Sequence, residues 1–484
     1  MQIQLHPDSA LPLYLQLRDA LRAQILSGAM QRGQRLPSAR ALSTQLHVSR
    51  TTVEEAYRCL MDDGLVFSSR GKGMFTAQVP QRKKAEPLVD WDERVSGEVR
   101  RYTAFRSGPG AFPLGERETI SFASLSPDHS LFMVEAFRKC LNDALSREGG
   151  YLLGYGYTRG YEPLRRCLTD YLASKGISSE GQELLITNGF RQGLEMLCRT
   201  LLTDDRAVAV EMPCYNGALG LLTALGAQIL PIPMDEKGMD PAALADTLAR
   251  RRVRFIYCTP SYQNPTGRIM DLTRRQEILQ VAARHRTPVI EDGFTEELRY
   301  SGEGYPSLKA LDEHDLVIYV GSFSKVLFPG LRVGWVLAAQ GLMRYLVQEK
   351  HHEDIHTGLL QQAGLYEFLN RGYLEKQLRI SRQAYAARMA ALERVLPEYL
   401  PELTVESGQG GFCLWARLPA DVDARDLLSA ARARGVIFAP GDAFYPDGEG
   451  RDHIRLGFSR LEPEQIAEGA RRLARALDDI KGGD

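Results

Sequence analysis

The sequence predicts a multidomain protein in which a small helical module precedes a large, mostly parallel α/β body. Three observations lead to this prediction. The chain has 484 residues, which is too many for a single hydrophobic core. Helical patterns of apolar residues fill much of the stretch from Leu13 to Met61. Beyond residue 119, seven short β-rich runs alternate with helical patterns, and this alternation is typical of parallel strands joined by crossover helices.

The two parts of the chain differ in charge. The whole chain has a formal net charge of −1, but residues 1–84 contain 12 Lys and Arg against 6 Asp and Glu. The remaining residues therefore carry a net charge of −7. A basic module joined to a mildly acidic body suggests a polyanionic partner for the first part alone.

Cysteine usage and the lack of targeting patterns predict a soluble, cytoplasmic protein. The seven cysteines form no CxxC pair, which favours free thiols over disulfides or a zinc site. The N-terminus has no basic-then-apolar signal, and no uncharged run approaches the roughly 18 residues of a membrane span. Adjacent histidines do not face one way on a helix, so the run Lys350–His356 is interpreted as a solvated helix end, and no metal is expected.

Residues 1–77 are predicted to contain a helix-turn-helix. Helical patterns cover Leu13–Leu26, Ala39–Leu46 and Arg50–Met61. The last two are joined by a tight turn, and Ser49 is the expected N-cap of the third helix. In this arrangement the first residues of the second helix of the pair meet base edges in DNA.

A basic hairpin follows the three helices. Leu65–Phe67 and Met74–Thr76 are predicted strands around the sequence Arg-Gly-Lys-Gly at 70–73, a tip suited to lie against phosphates. Together with the segments at 36–40 and 48–53, this order and spacing resembles the GntR-type winged helix. The resemblance implies contacts with double-stranded DNA by Arg40, Ser49, Arg50, Thr51, Thr52, Gly71, Lys72 and Gly73. The alternative interpretation of the same helices is a three-helix domain that binds protein.

Residues 78–118 are predicted to be a linker. They contain Pro80, Pro87, Pro109 and Pro113 and few apolar runs. The basic cluster at 82–84 is interpreted as part of a solvated tether. The body is then residues 119–484.

The body should place its ligand at one edge of its sheet. Its predicted strands are Leu184–Thr187, Ala207–Glu211, Gln228–Ile232, Val253–Cys258, Pro288–Glu291, Leu316–Val320 and Val333–Leu337. Ligands of a doubly wound sheet bind outside the carboxyl ends of the strands. The loops that follow these strands therefore hold the candidate site residues.

The loop after the sixth strand carries an amine beside hydroxyl and guanidinium groups. Lys325 lies near Ser322, Ser324 and Arg332. A lysine near other cations or away from water has a lowered pKa and can condense with an aldehyde. The hydroxyl and guanidinium groups suit a phosphate. An aldehyde and a phosphate on one small molecule describe pyridoxal 5'-phosphate, whereas Lys325 alone would be a surface lysine in a Ser/Gly-rich loop.

Other strand ends supply the remaining groups that a pyridoxal ring needs. Asp292 is the candidate carboxylate for the ring nitrogen, Asn264 the donor to the ring hydroxyl, and Tyr215 the flat group that stacks on the ring. The residues Gly189, Phe190 and Arg191 open a helix whose N-terminus suits phosphate. Each group alone has a structural interpretation, namely a packed tyrosine, a turn or a helix cap. Their shared position at strand ends, in this order before Ser-x-x-Lys, favours the cofactor site.

These motifs resemble the fold-type I aminotransferases, and the resemblance covers nearly the whole body. It implies a homodimer in which Tyr155 reaches the phosphate of the neighbouring subunit and Lys325 forms the Schiff base. It also implies that Arg455 grips a carboxylate of the effector, which is what a guanidinium does well. By the same resemblance, residues 395–484 form most of a small α+β subdomain.

Two departures from that family bear on activity. Phe294 stands where these enzymes usually have a tyrosine whose hydroxyl meets the ring oxygen, so we predict a raised pKa for the Schiff base and poor turnover. The sequence Asn-Pro-Thr-Gly at 264–267 and Thr158 look more like true aminotransferases than like many regulators. Some catalytic activity therefore stays open.

A GntR-type winged helix, a linker and an aminotransferase-like body in this order resemble the MocR/GabR family of bacterial transcription regulators. The resemblance implies a head-to-tail homodimer that binds promoter DNA and senses pyridoxal phosphate or an amino compound that forms an external aldimine. One alternative is an active aminotransferase that carries a DNA-binding domain. Another is a regulator whose body has lost the cofactor and serves as a dimerisation scaffold.

Overall fold

A computed structural model describes residues 3–7, 9, 11–69, 71–77, 90–107 and 119–482. Arg70, in the predicted wing, and most of the predicted linker lie outside these residues. The chain divides into two compact units, Met1–Arg94 and Val95–Asp484. Among the described helices, none combines the length and the apolar character needed to cross a bilayer.

The N-terminal unit is a three-helix module with a hairpin. Its elements are α1 (Leu13–Leu26), α2 (Ala39–Leu46), α3 (Arg50–Asp62), β1 (Val66–Ser69), β2 (Gly73–Thr76) and the short α4 (Trp91–Arg94). Leu17, Leu21, Leu42, Val53 and Leu60 are fully buried between the helices. The apolar spacing therefore predicted all three helices to within one residue.

Serine caps fix the geometry of the helix-turn-helix. Ser38 Oγ accepts a hydrogen bond from the backbone N–H of Ala41 at the start of α2. Ser49 Oγ accepts one from the N–H of Thr52, at 3.1 Å, at the start of α3. His47, in the left-handed conformation with φ 52°, lets the chain turn between the two helices. Both caps satisfy donors that the helices leave unpaired, and the predicted cap at Ser49 is present.

The second unit contains thirteen α-helices and fourteen strands among its described residues. The helices are α5 (Gly97–Ser107), α6 (Val134–Leu152), α7 (Glu162–Ser174), α8 (Phe190–Leu201), α9 (Asn216–Ala224), α10 (Pro241–Arg250), α11 (Leu272–His285), α12 (Leu308–Leu311), α13 (Gln340–Asp354), α14 (Leu359–Asn370), α15 (Tyr373–Tyr399), α16 (Ala424–Ala433) and α17 (Pro463–Lys481). The strands are β3 (Ile120–Ser121), β4 (Gln182–Thr187), β5 (Ala207–Met212), β6 (Gln228–Asp235), β7 (Gly238–Met239), β8 (Ile256–Cys258), β9 (Val289–Asp292), β10 (Val317–Ser322), β11 (Gly334–Ala339), β12 (Thr404–Val405), β13 (Cys413–Arg417), β14 (Val436–Ile437), β15 (Ala439–Pro440) and β16 (His453–Gly457).

A mixed sheet of eight strands forms the centre of this unit. The strand order is β4-β11-β10-β9-β8-β5-β6-β7. The strands β6, β5, β8, β9 and β10 pair in parallel, whereas β11 is antiparallel to both of its neighbours. All seven predicted strands are present, and the added edge strand β7 is too short, at two residues, to show a pattern. Because β4 runs parallel to β10, the carboxyl ends of β4, β5, β8, β9 and β10 meet at one edge.

A smaller subdomain closes over that edge from the C-terminal part of the chain. Its antiparallel sheet has the order β12-β13-β16-β15. The strand β3, close to the start of the described segment 119–482, pairs with β14 of the subdomain. This pairing brings the residues after β3 against β16, which carries Arg455.

Residues 97–107, within the predicted linker, form the helix α5, which packs on α9. Phe105 is 6% exposed and belongs to the core beneath β5 and α9. Arg101 Nε and Nη2 donate to the carbonyl oxygen of Ala224 at 2.9 and 2.7 Å, which satisfies the C-terminal end of α9. Part of the stretch between the two predicted domains is therefore anchored to the body.

Candidate functional site

One cavity of about 940 Å³ lies at the carboxyl edge of the large sheet. Loops from five strands and the strand β16 bring most of the predicted site residues to its wall. Those that line the cavity are Phe190, Arg191, Tyr215, Asn264, Asp292, Phe294, Ser322, Ser324, Lys325, Arg332 and Arg455. Phe190 and Arg332 share one wall because the strands before them, β4 and β10, end at the same edge, whereas Arg455 reaches the wall from β16 of the smaller sheet.

Lys325 presents its amine inside the cavity. Its Nζ donates a hydrogen bond to the carbonyl oxygen of Leu125 at 2.9 Å. Burial, together with the nearby positive charge of Arg455, lowers the pKa of Lys325 to about 8. A larger fraction of this amine is therefore neutral near pH 7 than for an ordinary lysine, and the neutral amine is the form that attacks a carbonyl.

Asp292, the last residue of β9, has one paired and one unpaired oxygen. Its Oδ2 accepts a hydrogen bond from the hydroxyl of Tyr257 at 2.7 Å. Its Oδ1 is buried and has no hydrogen-bond partner among the described residues. Burial raises the pKa of Asp292 to about 7. A buried acceptor without a donor costs about 1–3 kcal/mol, so this oxygen fits a ligand with a cationic N–H donor, such as a protonated pyridine nitrogen.

Arg455 holds the side-chain amide of Asn264 in one orientation. Its Nη1 donates to Asn264 Oδ1 at 2.9 Å, and its Nη2 donates to the carbonyl oxygen of Ala123 at 2.7 Å. The guanidinium also lies over the ring of Phe444, 4.9 Å from its centroid. Because the amide oxygen of Asn264 is used in this way, its NH₂ group is left to donate into the cavity. Burial lowers the pKa of Arg455 to about 10, so the guanidinium stays charged at neutral pH.

An anion-binding corner forms where the loops after β4 and β10 meet. Gly189, with φ 80°, precedes the first turn of α8, and Arg332 Nη2 donates to the neighbouring Asn188 carbonyl at 3.2 Å. A Cβ at Gly189 would lie 2.6 Å from Arg332 Nη2, so only glycine lets the guanidinium come this close. Ser322 and Ser324 lie on the same wall. The N-terminus of α8, two hydroxyls and a guanidinium together suit a phosphate group.

Tyr215 lies immediately before α9 and lines the cavity with its ring. A Cβ at Gly217 would clash with the Tyr215 ring and its hydroxyl oxygen. The glycine therefore makes room for the ring at the cavity wall, where it offers a flat face to a bound aromatic group.

Sequence reasoning missed several residues of this site. They are Tyr102 on α5, the segment 123–127, Tyr257 within β8, and Arg460 and Leu461 after β16. Val99, Tyr102 and Phe105 recur every three residues, a helical spacing that offered a signal for α5. Tyr257 in a fully buried three-residue strand offered none.

Tyr155 does not enter the cavity of its own chain. Its side chain is 84% exposed, and its ring meets His356 edge-on with 6.1 Å between centroids. The prediction that it serves a partner subunit stays a prediction.

The end of α13 differs from the predicted solvated helix end. Lys350 is fully buried, and its Nζ donates to Asp354 Oδ1 at 2.8 Å and to Gln192 Oε1 at 3.1 Å. Asp354 Oδ2 also accepts from Asn188 Nδ2 at 2.6 Å. The prediction was wrong for Lys350 because α8 covers it, and the pair braces the loop that forms the anion-binding corner.

The residues predicted to contact DNA lie on the surface of the N-terminal unit. Arg40, Arg50 and Lys72 are exposed, and Ser49 and Thr52 are joined by a hydroxyl–hydroxyl hydrogen bond of 2.8 Å. Arg50 Nε forms an ion pair with Glu54 at 2.7 Å on the same helix. Because such an exposed pair is weak, it leaves Arg50 available to contact DNA.

Comparison with known proteins shows two family matches. Residues 121–473 match the aminotransferase class I and II family, and residues 13–76 match the gntR family of bacterial regulatory proteins. These matches fall on the body and on the N-terminal module, respectively.

Individual relatives show the same combination. The chain is 31% identical to the HTH-type transcriptional regulator TauR of Rhodobacter capsulatus, over 95% of this chain and 96% of that protein. It is 29% identical to the probable rhizopine catabolism regulatory protein MocR of Rhizobium meliloti, over 97% and 94%. Among solved structures, LysN, the α-aminoadipate aminotransferase of Thermus thermophilus, is 33% identical with a TM-score of 0.75. That comparison covers 82% of this chain and all of LysN, which was complexed with N-(5'-phosphopyridoxyl)-L-leucine.

Proposed function

We propose a function for this chain from its family, because it belongs to the aminotransferase class I and II family and, with a gntR-family module before that body, to the MocR/GabR type of transcriptional regulator. Members of the class I and II fold family depend on pyridoxal phosphate. We infer that this chain binds that cofactor and that its DNA affinity depends on what occupies the cavity.

The observation that carries the proposal is the arrangement around Asp292 and Lys325. Lys325 would hold the cofactor covalently, and the unpaired Asp292 Oδ1 would receive the ring nitrogen. The corner at Gly189 and Arg332 would hold the phosphate. When bound, pyridoxal phosphate supplies a reactive carbonyl and an electron-withdrawing ring. This chain's own residues orient that ring and keep the lysine amine available.

The division of the chain follows from the same proposal. Residues 1–77 would bind double-stranded promoter DNA through the start of α3 and the tip at 71–73, and residues 78–118 would connect them to the cofactor-binding body at 119–484. An amine or amino acid effector would enter the cavity and exchange with Lys325. Two states of the body, with and without the effector, would then present the two DNA modules of a dimer differently.

A homodimer is part of the proposal because an exposed apolar segment lies beside the cavity-forming elements. Leu153, Tyr155 and Tyr157 are 75%, 84% and 76% exposed, and Ile355 next to the Tyr155–His356 contact is 44% exposed. Large apolar side chains exposed together mark interaction surfaces. A second copy covering this segment would bring Tyr155 to the partner's cavity, in a head-to-tail arrangement.

The second candidate function is an active aminotransferase that carries a DNA-binding module. It is favoured by the presence of Lys325 and Arg455 in one cavity, where a cofactor-bound amine and a substrate carboxylate would meet. Steady-state turnover with amino donors and 2-oxo acids separates the two functions. A regulator shows little or no turnover at protein concentrations at which its DNA affinity already responds to the amine.

The test is a titration of the purified protein on the DNA upstream of its own gene, at fixed salt, with and without pyridoxal phosphate. Salt is fixed because phosphate contacts dominate the affinity of DNA-binding proteins. We expect sequence-selective binding that changes when the cofactor is added. Weak, salt-sensitive binding that the cofactor leaves unchanged would contradict the proposal.

A further inference from the structure

The cavity wall carries an excess of positive charge. Among the described residues that line it, Arg191, Lys325, Arg332, Arg455 and Arg460 are cationic, and Asp292 is the sole acid. Under the proposed function, the cofactor phosphate occupies the corner at Arg332, and the cofactor ring uses Asp292 and Lys325. Arg460 lies on the same wall, but the proposed function assigns it no contact with the cofactor.

The side chain of Arg460 is unengaged. It is exposed, and it makes no hydrogen bond, ion pair or ring contact with any residue that the structure describes. Other exposed arginines of the body, such as Arg138 and Arg166, are paired with a nearby glutamate. An arginine at the rim of a cavity without an acidic neighbour is free to bind an anion that enters.

The backbone that carries Arg460 is fixed on both sides. Ser459 is fully buried, and its Oγ donates to the carbonyl oxygen of Ser126 at 2.7 Å. Arg388 donates to the Ser459 carbonyl oxygen and is itself held by Asp128 at 2.7 Å. Leu461, 6% exposed, donates its N–H to the carbonyl of Phe458. The fixed backbone keeps Arg460 at the cavity wall, so the ordering cost of binding an anion there is that of the arginine side chain alone.

Arg460 and Arg455 lie at different depths of the same cavity. Arg455 is 3% exposed and reaches Asn264 from β16, whereas Arg460 follows five residues later at the mouth. The same wall also includes the hydroxyl groups of Ser124 and Ser126. A ligand that extends from Lys325 to the mouth would meet one guanidinium near its reactive end and another near its far end.

We propose that Arg460 is a second anion subsite and that the effector is an amino compound with two anionic groups, one for Arg455 and one for Arg460. The ligand class is an amino acid with a carboxylate, sulfonate or phosphonate on its side chain. This inference rests on the proposed function, because it requires an effector that reacts in a cofactor-loaded cavity. Beyond the proposed function, it specifies that the effector carries a second negative charge and has an extended shape.

The experiment uses the full-length protein loaded with pyridoxal phosphate and follows the visible absorbance of the bound cofactor during titration with amino acids. The ligands are L-aspartate, L-glutamate and L-2-aminoadipate, each against its uncharged counterpart, namely L-asparagine, L-glutamine and L-norleucine. The variants are Arg460→Gln and, as the charge-conserving match, Arg460→Lys. We expect at least one acid to bind wild type about tenfold more tightly than its counterpart, as a charge-assisted contact at a partly exposed site allows.

In Arg460→Gln we expect that tenfold preference to be lost while the affinity for the uncharged counterpart is unchanged, and in Arg460→Lys most of it to remain. The inference is overturned if no acid is preferred by wild type, or if Arg460→Gln weakens acid and counterpart equally. Failure of the proposed function looks different, because wild type would then show no visible cofactor absorbance at all or an absorbance that no amine changes.

Discussion

The guanidinium of Arg191 lies over the ring of Tyr102, 5.1 Å from its centroid. Arg191 is the second residue of α8, at the anion-binding corner, and Tyr102 belongs to α5, the first helix of the second unit. Both line the cavity. A group bound at the anion-binding corner beside Arg191 would therefore lie one side-chain contact away from α5, the first helix after the N-terminal unit.

We predict that Tyr102→Ala weakens the effect of pyridoxal phosphate on DNA affinity. A cation–π contact of this kind contributes about 0.5–1 kcal/mol at an exposed site. Without it, α5 should no longer respond to whether the anion-binding corner is occupied. The measurement is the ratio of DNA dissociation constants with and without the cofactor, which should move toward one. Tyr102→Phe keeps the ring and should behave as wild type. An unchanged ratio in Tyr102→Ala would show that α5 does not transmit the signal.

Lys325→Ala should remove the visible absorbance of protein-bound cofactor that survives dialysis. The reason is that the cofactor carbonyl then has no amine to condense with at that place. Lys376→Ala, an exposed lysine of α15, is the matched control and should keep the absorbance. Persistence of the absorbance in Lys325→Ala would refute Lys325 as the attachment point.

The lowered pKa of Lys325 predicts a pH profile for cofactor loading. Because the neutral amine reacts, the rate at which cofactor-free protein takes up pyridoxal phosphate should rise with pH and level off above about 8, rather than above the ordinary value of 10.5. Arg455 helps to lower this pKa, so Arg455→Gln should move the midpoint to higher pH. A midpoint that stays in place in Arg455→Gln would contradict a contribution from Arg455 and leave burial as the main cause of the lowered pKa.

The free energy of unfolding of the cofactor-free protein should also depend on pH through Lys325, and the direction of that dependence is fixed by the lowered pKa. Folding lowers the lysine pKa from 10.5 to about 8, so the unfolded chain binds more protons between these values. The contribution of Lys325 to the free energy of unfolding therefore rises with pH from about 8 to about 10.5. Comparison of urea unfolding at several pH values for wild type and Lys325→Met isolates this contribution from that of other groups.

The sequence predicted the fold well wherever local pattern and tertiary structure agree. The buried strands β5 and β10 are mostly apolar, and Ser49 is a good cap in isolation as well as in the fold. The candidate residues at strand ends could be grouped from the sequence because topology fixes where parallel strands end, and the structure brings them to one cavity wall. Tyr257 and Arg460 were not predicted, because the contact of Tyr257 with Asp292 and the place of Arg460 in the cavity wall depend on tertiary packing, which no local pattern encodes.

Asp292→Asn should weaken cofactor retention. The amide keeps the shape of the carboxylate and can still accept from Tyr257, but it removes the charge that a protonated ring nitrogen would meet. A hydrogen bond to a charged group contributes about 1.5–3 kcal/mol, so we expect about 10- to 100-fold weaker binding in equilibrium dialysis. Asp204→Asn, at an exposed position between α8 and β5, is the control. Equal affinities for the two variants would mean that Asp292 does not meet the ring.

DNA affinity should depend on salt through a small number of identifiable cations. If Lys72 at the exposed tip of the hairpin neutralises one phosphate, Lys72→Gln lowers the slope of the logarithm of affinity against the logarithm of salt by about one. It should weaken binding almost equally on specific and unrelated DNA, because phosphate contacts carry no sequence information.

Arg50→Gln at the start of α3 should instead weaken binding to specific DNA more than binding to unrelated DNA. Arg252→Gln, an exposed change on the body, should alter neither slope nor specificity. A loss of selectivity in Lys72→Gln, with selectivity intact in Arg50→Gln, would reverse the assignment of wing and recognition helix.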